Sequence, residues 1–577
     1  MNKADLKHLI DVAAGREPAD LVIRNSKIVD VYSSRVLEGQ DIAVVDGHIA
    51  GIGAYEGREV IDAEGKYAAP GMIEGHIHIE SSYVTPEEIG RLLTPRGTTT
   101  IIADPHEIVN VAGLDGLNYM IDAARQTKLD IKYMLPSCVP ATPYENSGTD
   151  IDAAAMAGPV GSGDVWGIGE FMDFPGVVNG DSRVLDKLML AKEAGMVVDG
   201  HSPGLGGIAL NAYAAAGIHT DHECETAEEA ADRVARGMYV MLRQGSACHD
   251  FLRLLPAVTP ANSRRFILCS DDRQPKTIFD QGHLDHHLRM CVQNGIDPVT
   301  AIQMGTLNAA ECFRLYDRGA IAPGLRADIV LFDNLTDFNA GKVFIAGELV
   351  ADNGKYLFDV QRCDIAPVKG RFHVRNFSEE KLRLHLSTGH IHLMEIVPGG
   401  VVTKKAVADI ALDDTGDFIY DPQQDIVKIA VIERHHGTGK AAVGLLGGYG
   451  IKTGAVALSI SHDSHNIIVV GTNNHDMAVA VEALIGQGGG IVLVDKGAVI
   501  NQMPFVVGGI MTDQSGEWVN EHLSAIHEDA FHILKVNPQV DPVMTLCFMS
   551  LSVIPELKLT ASGLFDVTKF DFIPLEA

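Results

Sequence analysis

The sequence predicts an α/β fold organised around a (β/α)8 barrel, and two observations support this prediction. Eight short apolar runs alternate with segments of helical periodicity, which is typical of parallel strands joined by helices. Most of these runs end in a polar side chain, and in such a barrel the active site lies where the strands end. The runs are MIEGHIH, TTTIIAD, IKYMLPSC, DVWGIGE, MVVDGH, GIHTDH, MYVMLRQ and RFILCSD.

Six potential metal ligands have the spacing of strand ends in this barrel. They are His76, His78, Glu170, His201, His222 and Asp271. A barrel of roughly 250 residues has about 31 residues per βα unit. Glu170 follows His76 by 94 residues, which is three units, and His201 follows Glu170 by 31. The next intervals are 21 and 49 residues, so we assign the ligands to strands one, four, five, six and eight.

The rest of the chain predicts two further structural units. With 577 residues, the chain exceeds one barrel by about 250 residues. Short alternating strands precede and follow the barrel at 67–318, so we expect one small β domain formed from residues 1–66 and 319–368. Residues 369–577 contain strands in DIVKIAVIERH, GAVALSISHDSHNIIVVG and GGIVLVDKGAVI, and predict a C-terminal α+β domain. Helices are expected in TPEEIGRLL, LDGLNYMIDAARQ, SRVLDKLMLAKEAG and TAEEAADRVARG.

Composition excludes several classes of partner. The net charge of −30 disfavours nucleic acid and anionic membrane surfaces. The eight cysteines form no C-x-x-C pair, as expected of reduced thiols in a cytoplasmic protein. No signal-peptide pattern and no uncharged apolar stretch of about 18 residues is found. We therefore expect a cytoplasmic enzyme with a small-molecule substrate, assembled as a homo-oligomer.

The individual ligand positions have simpler explanations that must be weighed. A lone H-x-H pair is weak evidence, but His76 and His78 point to one strand face and close the first strand. Glu170 is either a ligand or a helix cap. Adjacent carboxylates at Asp271 and Asp272 repel each other unless a cation is near, and Asp272 is either a helix cap or an orienting partner.

Longer motifs add a family resemblance. PGMIEGHIHIESS, TTTIIADPHEIVNVAG, GIGEFMDFPGV, DGHSPG, TDHECET and CSDDRQP together resemble adenine deaminases of the amidohydrolase superfamily. The segment SISHDSHNIIVVG resembles the extra C-terminal domain of that family. The resemblance covers nearly the whole chain, and DPHE and HDSHN are its most specific parts.

The resemblance implies a binuclear metal centre. His76, His78 and Asp271 would hold one divalent ion, His201 and His222 the other, and Glu170 would bridge the two where many relatives use a carboxylated lysine. Nitrogen and oxygen ligands without thiolates admit Mn²⁺, Fe²⁺ or Zn²⁺ alike, and of these we expect Mn²⁺.

The implied reaction is hydrolysis of a cyclic amidine C–N bond in purine salvage. Metal-activated hydroxide would attack adenine C6, giving hypoxanthine and ammonia. Asp271 would accept the water's proton and pass it to the departing amino group. A second acid must protonate ring N1, and the candidates are Glu80, expected on the same strand face as His78, and the pair His106 and Glu107.

The motif SHDSHN has two interpretations, a lid over the barrel mouth or a structural turn. As a lid, His462, Asp463 and His465 would exclude water, and His462 and His465 would join His106 in binding substrate. Two other functions remain as alternatives. One is another amidohydrolase reaction such as cyclic amide opening, which would call for a lysine on strand four, and the other is a metal-binding protein without catalysis.

Overall fold

The barrel predicted from the sequence is confirmed. The computed structural model of the chain describes residues 1–398 and 401–577. The eight barrel strands are Met72–His78, Thr98–Ala103, Asp130–Leu135, Gly167–Phe171, Val197–Gly200, Thr220–Asp221, Tyr239–Arg243 and Phe266–Cys269. Six of them fall within the predicted runs, and the other two extend one residue beyond their runs, at Asp130 and Phe171.

Two joints close these strands into a ring. Strands one to five pair in sequence order, and strands six to eight form a second parallel arc. At one joint, the His219 N–H donates to the Val198 carbonyl oxygen over 3.2 Å. At the other, Asp271 and Asp272 continue from the eighth strand and pair in parallel with the last two residues of the first. Because all strands run in one direction, their carboxyl ends meet at one mouth.

Helices surround the barrel and include the four predicted from periodicity. The one at Ala227–Ala235 shows why the sequence starts a helix there: the Thr226 hydroxyl accepts the Glu229 N–H, and the Glu229 carboxylate accepts the Thr226 N–H. The helices of this region are Pro86–Leu93, His106–Ala124, Ala153–Ser162, Phe174–Asn179, Ser182–Glu193, Gly207–Ala215, Ala227–Ala235, Phe251–Leu254, Pro275–Gln281, Leu284–Gln293, Pro298–Met304 and Leu307–Cys312. Single 3-10 turns lie at Glu80–Ser82, Thr94–Arg96, Leu255–Ala257 and Ser263–Arg265.

The two flanks of the barrel share one nine-stranded sheet. The strand Tyr67–Pro70 joins them, because it pairs in parallel with the N-terminal flank and antiparallel with Ile329–Phe332. The N-terminal helix Lys3–Ala13 packs on this sheet. The strands are Ala19–Asp30, Arg35–Val45, His48–Gly53, Gly57–Asp62, Tyr67–Pro70, Ile329–Phe332, Ala340–Ile345, Glu348–Asp352 and Lys355–Tyr356. The domain limits themselves stay predictions.

The C-terminal region is built on an eight-stranded sheet. In sequence order its strands are His390–Ile396, Thr403–Asp409, Ile426–Ile432, Ala441–Gly447, Ala455–Leu458, Ile467–Gly471, Gly490–Asp495 and Ala498–Pro504. A small sheet follows, with strands Leu557–Thr560, Gly563–Asp566 and Asp571–Phe572. The helices are Asn474–Gln487, Gly516–His532 and Met544–Cys547, with a 3-10 turn at Glu379–Leu382. No helix in the described parts of the chain is long and apolar enough to cross a membrane.

The C-terminal region packs directly on the barrel. One cluster of buried apolar side chains extends from Ile77 at the barrel mouth to Val456 in the C-terminal sheet. Hydrogen bonds also connect the two regions. The Thr512 N–H donates to the Tyr83 carbonyl oxygen at 2.8 Å, and the Gly516 N–H donates to Glu88 Oε1 at 2.9 Å. The mouth is therefore covered by C-terminal residues.

Candidate active site

The barrel mouth gathers the six expected ligands into one buried group. His76 and His78 lie in the last three residues of the first strand, and their Nε2 atoms are 3.1 Å apart. His201 and His222 each follow the last residue of a strand. Potential ligand atoms of His76, His78 and Glu170 lie within 4.8 Å of one another. Those of Glu170, His201 and His222 do so as well, so two groups share Glu170.

Glu170 lies at the centre of this group. Its Oε2 is 2.6 Å from His201 Nδ1 and 3.3 Å from His222 Nε2. Its Oε1 is 3.4 Å from His78 Nε2 and 3.1 Å from His106 Nδ1. Burial raises the pKa of Glu170, but the imidazoles, His201 foremost, outweigh burial and hold that pKa well below its ordinary value. The carboxylate is thus ionised and faces imidazoles through both oxygens.

The hydrogen bonds behind the ligands show that the group fits cations. His78 Nδ1 lies 2.9 Å from the Asp104 carbonyl oxygen, which only accepts, so Nδ1 carries a proton, and in the neutral ring Nε2 is left with a lone pair. His76 Nδ1 lies 2.7 Å from Asp199 Oδ2 in the same way. Two lone pairs at the 3.1 Å separation of these Nε2 atoms repel each other unless a proton or cation lies beside them. Carboxylates and carbonyls behind histidine ligands are the usual support of a metal site.

Asp271 completes the group from the eighth strand. Its Oδ1 lies 3.3 Å from His78 Nε2, and its Oδ2 accepts from Arg243 Nη1 at 2.9 Å. The backbone of Asp271 has a φ of +58°, a conformation that costs energy in residues other than glycine and is concentrated at functional sites. Burial raises the pKa of Asp271, but His78 and Arg243 hold it well below its usual range.

Asp272 does not cap a helix, because the following helix starts at Pro275 with Gln274 in the cap position. Its Oδ1 instead accepts from the Ser81 hydroxyl, which leaves the orienting partner as the remaining interpretation of Asp272. Ser81 also contacts Glu107 Oε1 at 2.8 Å. Asp272 and Glu107 are therefore connected through one serine.

Glu80 lies beside this pair, but the expectation that it extends the strand face of His78 is wrong. The strand ends at His78, and Glu80 opens a 3-10 turn whose direction differs from that of the strand. Glu80 Oε1 accepts the Ile108 N–H at 3.1 Å, and Oε2 is buried without a hydrogen-bond partner. Burial and the neighbouring charge of Glu107 raise the pKa of Glu80 to about 8.

The SHDSHN motif reaches the barrel mouth. His462 Nδ1 is 3.8 Å from Glu107 Oε1, and His465 Nε2 is 3.6 Å from Glu107 Oε2. Asp463 Oδ1 is 3.6 Å from His106 Nε2. All of these side chains are buried, so the motif forms a wall of the enclosed group.

Several supporting residues were missed by the sequence analysis. Asp104 and Asp199 lie at the ends of the second and fifth strands, and Arg243 ends the seventh. Applying the strand-end rule to every strand would have found them. Cys138 forms a potential metal-binding group with His106 and Glu170, and no sequence signal marked it.

Comparisons with known proteins agree with this arrangement. Residues 67–350 match the amidohydrolase family, and residues 400–571 match the adenine deaminase C-terminal domain. A protein of Desulfotalea psychrophila named adenine deaminase 2 is 62% identical over 100% of both chains. An adenine deaminase of Ligilactobacillus salivarius is 51% identical over 100% of both chains. The chain belongs to the adenine deaminase family.

In this member of the adenine deaminase family, the first matched region contains the barrel, and the second belongs to the C-terminal region that covers the barrel mouth. With an amidohydrolase region and a buried cluster of histidine and carboxylate side chains, the protein uses divalent metal. Among solved structures, an L-hydantoinase (dihydropyrimidinase) from Arthrobacter aurescens is 16% identical, with a TM-score of 0.46 over 59% of this chain and 98% of that chain.

Proposed function

We propose that this protein is an adenine deaminase, which replaces the C6 amino group of adenine by oxygen and releases ammonia and hypoxanthine. The observation that carries the proposal is the pair of buried ligand groups sharing Glu170 at the barrel mouth. The names of the full-length relatives supply the substrate.

The proposed metal ligands divide into two sets around Glu170. His76, His78 and Asp271 would hold one divalent ion, and His201 with His222 the other. We propose manganese, with iron or zinc as the alternatives that this donor set admits. When bound, such a pair supplies the Lewis acidity that brings the pKa of a water near neutrality.

Asp271 is the proposed carrier of the water's proton. Its Oδ2 is held by Arg243 at 2.9 Å, which leaves Oδ1 as the oxygen that faces the ligand histidines. Oδ1 accepts the proton and delivers it to the departing amino nitrogen. Arg243 keeps the carboxylate oriented while the proton moves.

The second proton, for ring N1, is assigned to the Glu80 and Glu107 pair. Glu80 Oε2 has no hydrogen-bond partner among the described residues, so it is free to contact a ligand, whereas Glu107 Oε1 is engaged by Ser81. We therefore place the acid at Glu80 and give Glu107 the role of sharing its proton. His106, His462 and His465 surround this pair and are the proposed contacts to the purine ring.

The decisive experiment measures metal content and ammonia release together. We expect about two divalent ions per active chain and ammonia release from adenine, but not from adenosine or cytosine and without opening of dihydroorotate. Full activity with one ion after titration of the apoprotein would contradict the two-ion centre. Activity on dihydroorotate alone would favour cyclic amide opening, and bound metal without any turnover would favour a silent binding protein.

Assembly and location complete the proposal. We propose a homo-oligomer, because Leu185, Met189 and Ile208 are exposed apolar residues on neighbouring barrel helices, with Ile208 88% exposed. Light scattering at micromolar concentration tests it, and a monomeric mass would contradict it. The eight free cysteines support the expected cytoplasmic location.

A further inference from the structure

A cavity of about 610 Å³ lies next to the metal-ligand group, and nothing above assigns it a role. The segment 137–150, which follows the third barrel strand, forms much of its wall. Cys138 and Phe171 line it beside Glu170, and Lys187 lines it as well. A volume of this order is typical of small-molecule sites.

Glu145 is the unusual residue of this cavity. It is only 7% exposed, and its Oε1 accepts from the Ser552 N–H at 3.3 Å and the Ser552 hydroxyl at 2.8 Å. Its Oε2 is buried and has no hydrogen-bond partner in the part of the chain that the structure describes. Burial, together with the charge of Asp463, raises the pKa of Glu145 to about 8. One oxygen thus anchors a loop, and the other is unused.

Asp463 links this carboxyl group to the catalytic group. Among the described residues its Oδ2 also has no hydrogen-bond partner, and its Oδ1 is 3.6 Å from His106 Nε2. His106 Nδ1 is in turn 3.1 Å from Glu170 Oε1, so the imidazole lies between the two carboxylates. A single imidazole therefore separates the metal-ligand group from two carboxyl groups with unused acceptor oxygens.

We propose that Glu145 and Asp463 accept the N–H of the five-membered ring of the purine, and so select free bases over 9-substituted purines. This inference rests on the proposed function and deepens it. When the purine C6 faces Glu170, the ring N–H points away from the metal-ligand group, and carboxyl oxygens are the matching acceptors. A 9-substituted purine has no proton there and places a substituent against buried carboxyl groups.

The alternative role for Glu145 is purely structural, as the anchor of Ser552. The two roles separate through matched variants, because Ser552→Ala removes the anchoring hydroxyl and leaves the carboxyl group with its backbone N–H bond, whereas Glu145→Ala removes the carboxyl group and both anchoring bonds. Glu145→Gln keeps the size of the side chain and one acceptor oxygen, which preserves the anchoring of Ser552. Metal content of each variant, measured on the purified holoenzyme, controls for damage to the catalytic group.

The test compares kcat/KM for adenine and 9-methyladenine. A site built to pair a substrate N–H rejects an analogue without it by about 10⁴-fold, so we expect a preference of that order in the wild type. Leaving a buried N–H without its hydrogen-bond partner costs a factor of about 10 to 100. Glu145→Ala should lower the preference by this factor, mainly through KM for adenine. Glu145→Gln should lower it by at least about 3-fold, and Ser552→Ala should leave it unchanged.

Two results overturn the inference while leaving the proposed function intact. One is an unchanged preference for adenine over 9-methyladenine in Glu145→Ala, or in Glu145→Gln if the alanine variant does not fold. The other is an equal loss in Ser552→Ala, which would make Glu145 a structural anchor. No ammonia release from adenine by the wild-type holoenzyme overturns the inference and the proposed function together.

Discussion

Replacing Glu170 by glutamine tests the centre of the proposed site. The change keeps the size of the side chain and removes its charge, which lies within 3.4 Å of three proposed ligand histidines. At about 4 Å and an effective dielectric constant near 20, one pair of unit charges contributes about 4 kcal/mol, which is a factor of about 10³ in a binding constant. Because the carboxylate is proposed to contact both ions, Glu170→Gln should weaken the binding of each by at least ~10³-fold.

The assay is metal content after dialysis, followed by ammonia release from adenine and by circular dichroism. The variant should lose metal and turnover while the barrel stays folded. Glu223→Gln is the matched control, since Glu223 Oε1 lies 3.5 Å from His222 Nε2 but is also paired with Arg243 and is less buried. We expect it to retain its metal. If Glu170→Gln keeps both ions and normal turnover, the bridging role is wrong and the strand-four assignment fails with it.

Three further predictions follow from the same geometry. Asp271→Asn should lower turnover by at least ~10²- to 10⁴-fold, because an amide cannot carry the proton; a loss below tenfold with both metals retained would move that role to Asp272. His462→Ala or His465→Ala should raise KM or lower kcat for adenine at constant metal content. Wild-type kinetics in both single variants and in the double variant would show that the SHDSHN motif is a structural turn. Burial lowers the pKa of Lys558 to about 7, below its value in the unfolded chain. The unfolded chain therefore binds more protons between about pH 7 and 10, and the free energy of unfolding should rise with pH in that window. A difference in unfolding free energy between the wild type and Lys558→Met that stays constant over the window would contradict this.

The strands and the positions of the candidate ligands were predictable because both are encoded locally. A barrel strand is a short apolar run, and its ligand is the polar residue that ends the run, so a few neighbouring letters contain the whole signal. The number of residues between the runs then indicates which barrel strand each run forms. This is why the six ligands were assigned to the correct strands without any knowledge of their contacts, while their roles remain predictions.

Contacts between distant segments could not be predicted in this way. His76 and Asp199 are 123 residues apart and meet only because strands one and five close the same ring. Glu145 lies in an irregular segment with no periodicity, and its partner Ser552 is 407 residues away. Glu80 was misplaced because the sequence does not mark where the first strand ends and the 3-10 turn begins.

The distribution of unused hydrogen-bonding atoms is itself an argument about function. A buried polar atom without a partner costs about 1–3 kcal/mol, so a stable fold keeps such atoms few. Within the described residues, Glu80 Oε2, Glu145 Oε2 and Asp463 Oδ2 are unpaired around one cavity and one ligand group. Hydrophobic contacts between the barrel and the C-terminal region offset that cost. Under the proposed function, the N–H groups of the purine would supply partners for these carboxyl oxygens.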